Sequence, residues 1–274
     1  YVWDTDARER LDMTMAWGAA LVGHAHPKVL EAAAAQARHG ANFAAITRVL
    51  VDLAERIRDL SPCVEKIRFV ASGTEATMLC LRVARAATGR AKVLKFEGAY
   101  HGQHEVGVTS LVGDTLPDFP TPDDAGVGGA WVNRDVLVAP YNDIATTRRI
   151  IADHAEDLAA VIVEPFHRCL SPADGFLQGL RDATREHGVV LVFDEVVTGF
   201  RFAPGGAQEY YGVSPDLVAY GKALGGGFPI GAYGGRADVM EAVSESRLPG
   251  PNYAWSASTT GGNPVSAAAA SATL

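Results

Sequence analysis

Side chains able to do chemistry recur directly behind apolar runs. The stretch "DLVAYGKALGGGFPIGAYGG" (216–235) delivers Lys222 just after a strand-like run, with six glycines following it. A lysine there is a phosphate-loop residue, a reactive amine or part of a surface turn. "VVLVFDE" (189–195) closes on Asp194 and Glu195, and a carboxylate ending an apolar strand is costly without a cationic partner. "KIRFVAS" (66–72) runs into "SGTEAT", where Ser72, Gly73 and Thr74 open a helix pattern. Free N–H groups and the helix dipole at such a start hold anions. Equally, Ser72 followed by Glu75 reads as an ordinary helix cap. "AKVLKF" (91–96) leads to "EGAYHG", presenting Tyr100 and His101. An aromatic at a strand end is core, rim or a stacking surface for a flat ligand. "AAVIVE" (159–164) closes on Glu164.

In an open parallel sheet, ligands sit outside the carboxyl ends of the strands. A phosphate site, an aromatic ring, a buried acid and a lysine then point into one crevice. Pyridoxal phosphate (PLP) asks for that set: a helix N-terminus for its phosphate and a stacking partner for its ring. It also needs a carboxylate to keep the pyridine nitrogen protonated and a lysine to react with its aldehyde. Other chemistries fit less well. A P-loop needs glycine five positions before "GK" and Ser or Thr after it, where this chain has Asp216 and Ala223. The nearest match to a dinucleotide glycine motif, "GVGGAW" (126–131), ends in tryptophan, and no "GxSxG" elbow exists. "GHAHP" (His24, His26) and "YHGQH" (His101, His104) lack an acidic or cysteine partner at ligand spacing, so no metal is expected.

Those residues need a scaffold, and the pattern supplies one. Strands are expected at 66–72, 91–96, 136–140, 159–164, 189–195 and 216–220. Most are continuously apolar, as befits strands covered on both faces. Helices are expected at 27–40, 47–60, 74–88, 143–157 and 176–187, the first opening with Pro27 and closing with Gly40. The alternation implies an α/β fold with a mainly parallel sheet flanked by helices. Asp194 and Lys222, one crossover apart, would emerge at the same sheet edge. "YVWDTDARERLDM" (1–13) reads as a small hairpin turning at 5–7. Residues 107–135 carry clustered Pro, Asp and Gly, as a lid or mobile loop does. The expected division is an N-terminal hairpin and helix segment (1–40) followed by a cofactor-binding large domain (41–274).

Bulk properties narrow the function. The 274 residues carry a formal net charge of −8, which argues against nucleic acid or anionic membrane as a partner. No apolar run reaches the roughly 18 residues needed to span a bilayer. The three cysteines are unclustered, offering neither a disulfide framework nor a zinc spacing. A cytoplasmic protein with reduced thiols is expected.

The ordered stretches "YVWDTD", "LVGHAHP", "IRFVASGTEATM", "KVLKFEGAYHG", "APYND", "VIVEP", "LVFDEVVTGFR", "GVSPDLVAYGKALGGGFPIGAYGGR" and "TTGGNP" carry a resemblance. The chain resembles class III (subgroup II) aminotransferases of PLP fold type I, most of all their glutamate-1-semialdehyde aminomutase branch. The resemblance implies that Lys222 forms the imine with PLP and shuttles the proton, and that Asp194 partners the pyridine nitrogen. Val196 would pack on the ring face opposite Tyr100, and Gly73 and Thr74 would cradle the phosphate. Ser72 and His101 fall among the cofactor-binding residues, and Glu164 matches a glutamate that supports the site. Thr259 would reach the phosphate of the neighbouring subunit, which implies a homodimer. Trp17 would lie near the substrate. The glycines around Lys222 would let backbone pass close to the cofactor. The family also has a C-terminal small domain, which these residues do not encode.

Departures from the aminomutase pattern bear on the reaction. "EPFHRC" stands where that branch has "EPVAGN", losing an asparagine and adding Arg168. The gating loop is replaced by "SLVGDTLPDFPTPDDAGV", and "SFGAPT" by "NFAAIT". The expected activity is therefore ping-pong transamination between an amino and a carbonyl compound. An intramolecular amino shift and a non-catalytic PLP-fold protein are the alternatives. Arg168 or Arg48 could bind a substrate carboxylate, with a surface ion pair as the plainer role for each.

Overall fold

The computed structural model describes residues 1–111 and 130–274. A short hairpin, β1 (Val2–Trp3) and β2 (Glu9–Arg10), opens the chain. Asp4 closes its turn by accepting from the N–H groups of Asp6 and Arg8. The main sheet comprises β3 (Lys66–Val70), β4 (Lys92–Phe96), β5 (Val136–Ala139), β6 (Leu158–Val163), β7 (Val190–Asp194), β8 (Leu217–Tyr220) and β9 (Gly231–Gly235). Its helices are α1 (Pro27–Ala37), α2 (Arg48–Leu60), α3 (Gly73–Thr88), α4 (Glu105–Val108), α5 (Ala130–Asp135), α6 (Ile144–Asp153), α7 (Phe176–Glu186), α8 (Gly206–Tyr211), α9 (Ala237–Met240) and α10 (Pro264–Thr273).

The strand order is β3-β9-β8-β7-β6-β4-β5. Strands β4 to β8 run parallel, and β9 alone runs against its neighbours β3 and β8. Central strands are apolar throughout because both faces are covered. All six residues of β6 are buried, and alternate residues feed opposite cores. Val161, Val163, Leu191 and Phe193 pack with α2, α6 and α7, while Ala160, Ile162, Val190 and Val192 pack with α3. Each large apolar side chain so covered contributes about 1.5–3 kcal/mol. A third, smaller cluster joins Val29 and Ala33 of α1 to Ala269 of α10. Helix α1 ends at Ala37, before the Gly40 stop that its sequence suggests.

Strand β9, "GAYGG", is not in the sequence-based expectation because glycine is depleted in strands. Here glycine is required. A Cβ on Gly231 would overlap the Ser72 carbonyl oxygen, and one on Gly234 would come within 2.5 Å of the Lys66 oxygen. These glycines therefore serve strand-to-strand approach rather than clearance for a ligand. Gly221 faces the crevice, where an added Cβ would lie 3.3 Å from Gly73 Cα and from Val196 Cγ1. The expected loop 107–135 is helical at both edges, in α4 and α5, and its portion 112–129 lies outside the described residues. Among the described residues, no helix is long and apolar enough to cross a membrane.

Candidate active site

The carboxyl ends of β4, β6, β7 and β8 share one sheet edge with the start of α3, because β3 points the same way as β8. Helix α3 starts with a reciprocal cap. Ser72 Oγ accepts from Glu75 N at 3.2 Å, and Glu75 Oε2 accepts from Ala71 N at 2.7 Å. The cap thus occupies Ser72 and Glu75. It leaves the Gly73 and Thr74 N–H groups without an acceptor among the described residues, a ready anion cradle. Gly73 has no room for a side chain, since a Cβ would lie 2.9 Å from both Val196 methyls. Thr74 Oγ1 accepts from Gln103 N at 3.3 Å, which ties the helix start to the loop carrying Tyr100 and His101.

Asp194 ends β7 opposite Ala219 of β8, so Lys222 lies three residues beyond its register partner. Only 5% of Asp194 is exposed. Its Oδ2 meets His101 Nδ1 at 2.7 Å, and its Oδ1 accepts from Val196 N at 3.1 Å. The partner that its burial demands is therefore a histidine. His101 is itself buried and its Nε2 has no partner, so the ring stands behind the carboxylate. Lys222 is half-buried with φ +39°, a left-handed conformation unusual for a side-chain-bearing residue. Strained backbone of this kind concentrates at functional positions. Its amine has no hydrogen-bond or ion-pair partner among the described residues. Tyr100 is 37% exposed, and its hydroxyl accepts from Gln103 Nε2 at 3.0 Å.

Glu195, adjacent to Asp194, has another task. Its carboxylate accepts from Ala207 N, Gln208 N, Gln208 Nε2 and Thr198 Oγ1. Neutral donors thus satisfy it without a cation, and burial raises its pKa. Gln208 Nε2 also donates to the Tyr220 hydroxyl, which links the 195–208 segment to β8. Glu164 lies at the end of β6 beside His167, an association that the sequence did not suggest. Trp17, Arg48 and Thr259 make no hydrogen bond or ion pair to the cluster among the described residues. Trp17 is 83% exposed, Arg48 pairs with Asp52 at 2.7 Å on the surface, and the Thr259 carbonyl accepts from Asn42. Arg168 Nη2 donates to the Leu111 carbonyl at 3.2 Å. His24 meets an acid after all, Asp12 at 2.6 Å.

His104 gives a pH signature. Its Nδ1 accepts from Gly107 N at 3.2 Å, capping α4, which requires a neutral ring. Burial, reinforced by the charge of His101, lowers its pKa from 6.5 to about 4. The unfolded ring takes up its proton near 6.5, so the contribution is complete above that pH and is lost as pH falls toward about 4. The expected loss is on the order of 2–3 kcal/mol. His104→Asn retains a capping acceptor and should flatten this acid limb in thermal melts across pH. An unchanged limb would assign it elsewhere.

The cluster offers an anion cradle, a buried acid backed by an imidazole, an unpartnered amine and an aromatic face. The aminotransferase class-III family model matches residues 1–274. Glutamate-1-semialdehyde 2,1-aminomutase of Salinibacter ruber is 46% identical, over all of this chain and 62% of its own length. An omega-transaminase from Sphaerobacter thermophilus superposes with a TM-score of 0.93 at 40% identity, over 99% of this chain and 63% of that one. A transaminase with PLP bound gives 0.90 at 33% identity, with 99% and 63% coverage. The chain thus spans somewhat under two thirds of these relatives, and within that span it belongs to the class-III aminotransferase family.

Proposed function

We propose that this chain is the cofactor-binding part of a PLP-dependent aminotransferase that moves an amino group between an amino compound and a carbonyl compound in two half-reactions. The observation carrying this is the unpartnered amine of Lys222, next along the sheet to the buried, histidine-backed Asp194. The residues present fit PLP. The free N–H groups of Gly73 and Thr74 suit its phosphate, the bare Gly73 leaves no Cβ in the way, and Asp194 suits a protonated ring nitrogen. When bound, PLP supplies an aldehyde that captures amines and a cationic ring that takes up electrons from the substrate's α carbon. Lys222 anchors it and carries the proton to and from that α carbon. Asp194 holds the proton on the ring nitrogen, and His101 orients Asp194. Tyr100 and Val196 would flank the PLP ring.

Thr259, exposed on one protomer, reaches the phosphate held by a second copy in a homodimer. Glu164 supports the flank toward β6, and Trp17 and Arg168 border the substrate. A second reading, an intramolecular amino shift, is favoured by the name of the Salinibacter ruber relative. Release of a carbonyl product that requires a separate amino donor excludes it. Borohydride treatment of the full-length protein incubated with PLP, followed by peptide mass spectrometry, tests both readings at once. A pyridoxyl adduct on the Lys222 peptide is expected, and its absence refutes both.

A further inference from the structure

Thr77 lies one turn into α3 from the anion cradle and is 1% exposed. Its Oγ1 is 2.5 Å from the His101 carbonyl oxygen and 3.1 Å from the carbonyl oxygens of Gly73 and Thr74. His104 Nε2 stands 3.2 Å from the same hydroxyl. Counting protons fixes the direction of these contacts. His104 Nδ1 accepts from Gly107 N, so the neutral ring carries its proton on Nε2 and donates it to Thr77 Oγ1. The threonine then has one O–H for three carbonyls. Those of Gly73 and Thr74 belong to the helix ladder. The His101 oxygen is nearest and receives no backbone N–H among the described residues, and the His104 ring lies close to it as well.

The loop carrying His101 is pressed onto the start of α3. A Cβ on Gly102 would lie 2.8 Å from Thr74 Cα, and one on Gly107 would overlap the Gly102 carbonyl oxygen. His101 N donates to Gly107 O at 3.1 Å. His101 is thus fixed at its N–H by its own loop and at its carbonyl by α3, while its ring Nδ1 meets Asp194. A single helix therefore holds, one turn apart, the N–H groups that take an anion and the hydroxyl that seats the ring behind Asp194.

We propose that Thr77, held by His104, is a positioning residue that sets the spacing between the Gly73–Thr74 cradle and the Asp194 carboxylate. The inference rests on the aminotransferase reading above. PLP is a rigid ring with its phosphate on one short arm, so phosphate and ring nitrogen are both satisfied only where those two groups keep a fixed separation. Without the hydroxyl, His101 and Asp194 are free to shift against the cradle. The phosphate still binds, and the ring contributes less.

The test uses full-length protein stripped of cofactor and two probes, inorganic phosphate and 4′-deoxypyridoxine 5′-phosphate, which carries the ring but no aldehyde. The ratio of their Kd values, read by calorimetry, separates what the ring contributes from what the cradle contributes. Thr77→Val keeps the side-chain shape and should cut the ring's advantage about tenfold, the loss expected of one hydrogen bond, with phosphate affinity unmoved. Thr77→Ser returns a hydroxyl and should restore the ratio. His104→Asn, too short to reach Thr77, should cut the ratio about threefold and decides the matter where Thr77→Val does not fold. An unmoved ratio in either folded variant overturns the role of Thr77, as does a loss that persists in Thr77→Ser. Equal weakening of both probes, which a merely loosened helix would give, overturns it too. An unsubstituted protein that binds both probes alike overturns the aminotransferase reading and this inference with it, whereas a ring advantage that survives Thr77→Val overturns this inference alone.

Discussion

Lys222→Ala is expected to lower amino-group transfer by at least 10²–10⁴-fold, roughly the range a positioned proton carrier supplies, while the protein stays folded. The lysine is half-buried and its amine has no partner among the described residues, so little packing is lost with it. Alanine at φ +39° meets the same backbone strain, and stability should hold within about 0.5 kcal/mol. PLP should still bind at the Gly73–Thr74 cradle without a covalent link. Lys222→Arg sharpens the result, because it keeps a cation but no amine able to attack an aldehyde. Equal loss in both variants assigns the effect to the amine, and full activity in either refutes the role given to Lys222. Steady-state turnover with mass measurement of the intact protein reads both outcomes.

Asp194→Ala should damage stability as well as chemistry. Removing this carboxylate leaves His101 buried with neither ring nitrogen partnered and the Val196 N–H without its acceptor. Leaving a buried polar group unsatisfied costs about 1–3 kcal/mol each, which for the His101 ring and the Val196 N–H together lowers the melting temperature by roughly 5–10 °C in a domain of this size. Asp194→Asn retains an acceptor for Val196 N and should cost about 1–2 kcal/mol. It should nevertheless lose at least roughly 10²-fold in turnover, since a neutral amide cannot hold the ring proton. Thermal melts and turnover together separate the two effects. An Asp194→Ala protein that melts with the unsubstituted one would mean that His101 finds another partner.

Much of the scaffold is legible in the sequence because burial on both faces writes itself as unbroken apolar runs. "AAVIVE" and "VVLVFDE" become β6 and β7 within a residue or two, and Ser72 and Pro27 mark helix starts where they are found. What is hidden depends on contacts between distant segments. Glycine-rich β9 looks like loop because the backbone contacts that demand glycine, with residues 66 and 72, are invisible in its own stretch. Glu195 looks as needful of a cation as Asp194, yet the N–H groups of residues 207 and 208 satisfy it. At the site, the residue types and their strand-end positions were readable. The pairing of His101 with Asp194 needed the fold, which brings the loop after β4 to the end of β7, whereas His167 and Glu164 meet within a single turn.

The reversed strand β9 also sets the order in which this chain is completed during synthesis. Among the described residues edge strand β3 pairs only with β9, and about 160 residues of chain separate Val70 from Gly231. At ordinary translation rates of about 5–20 residues per second, β3 waits roughly 8–30 s for its partner. Lys222 lies in the connection that leads into β9, so the amine reaches its place in the crevice only as the last strand locks the sheet. A nascent chain stalled before residue 231 would carry the acid and the anion cradle but no seated lysine, and would expose β3 as an unpaired edge open to aggregation.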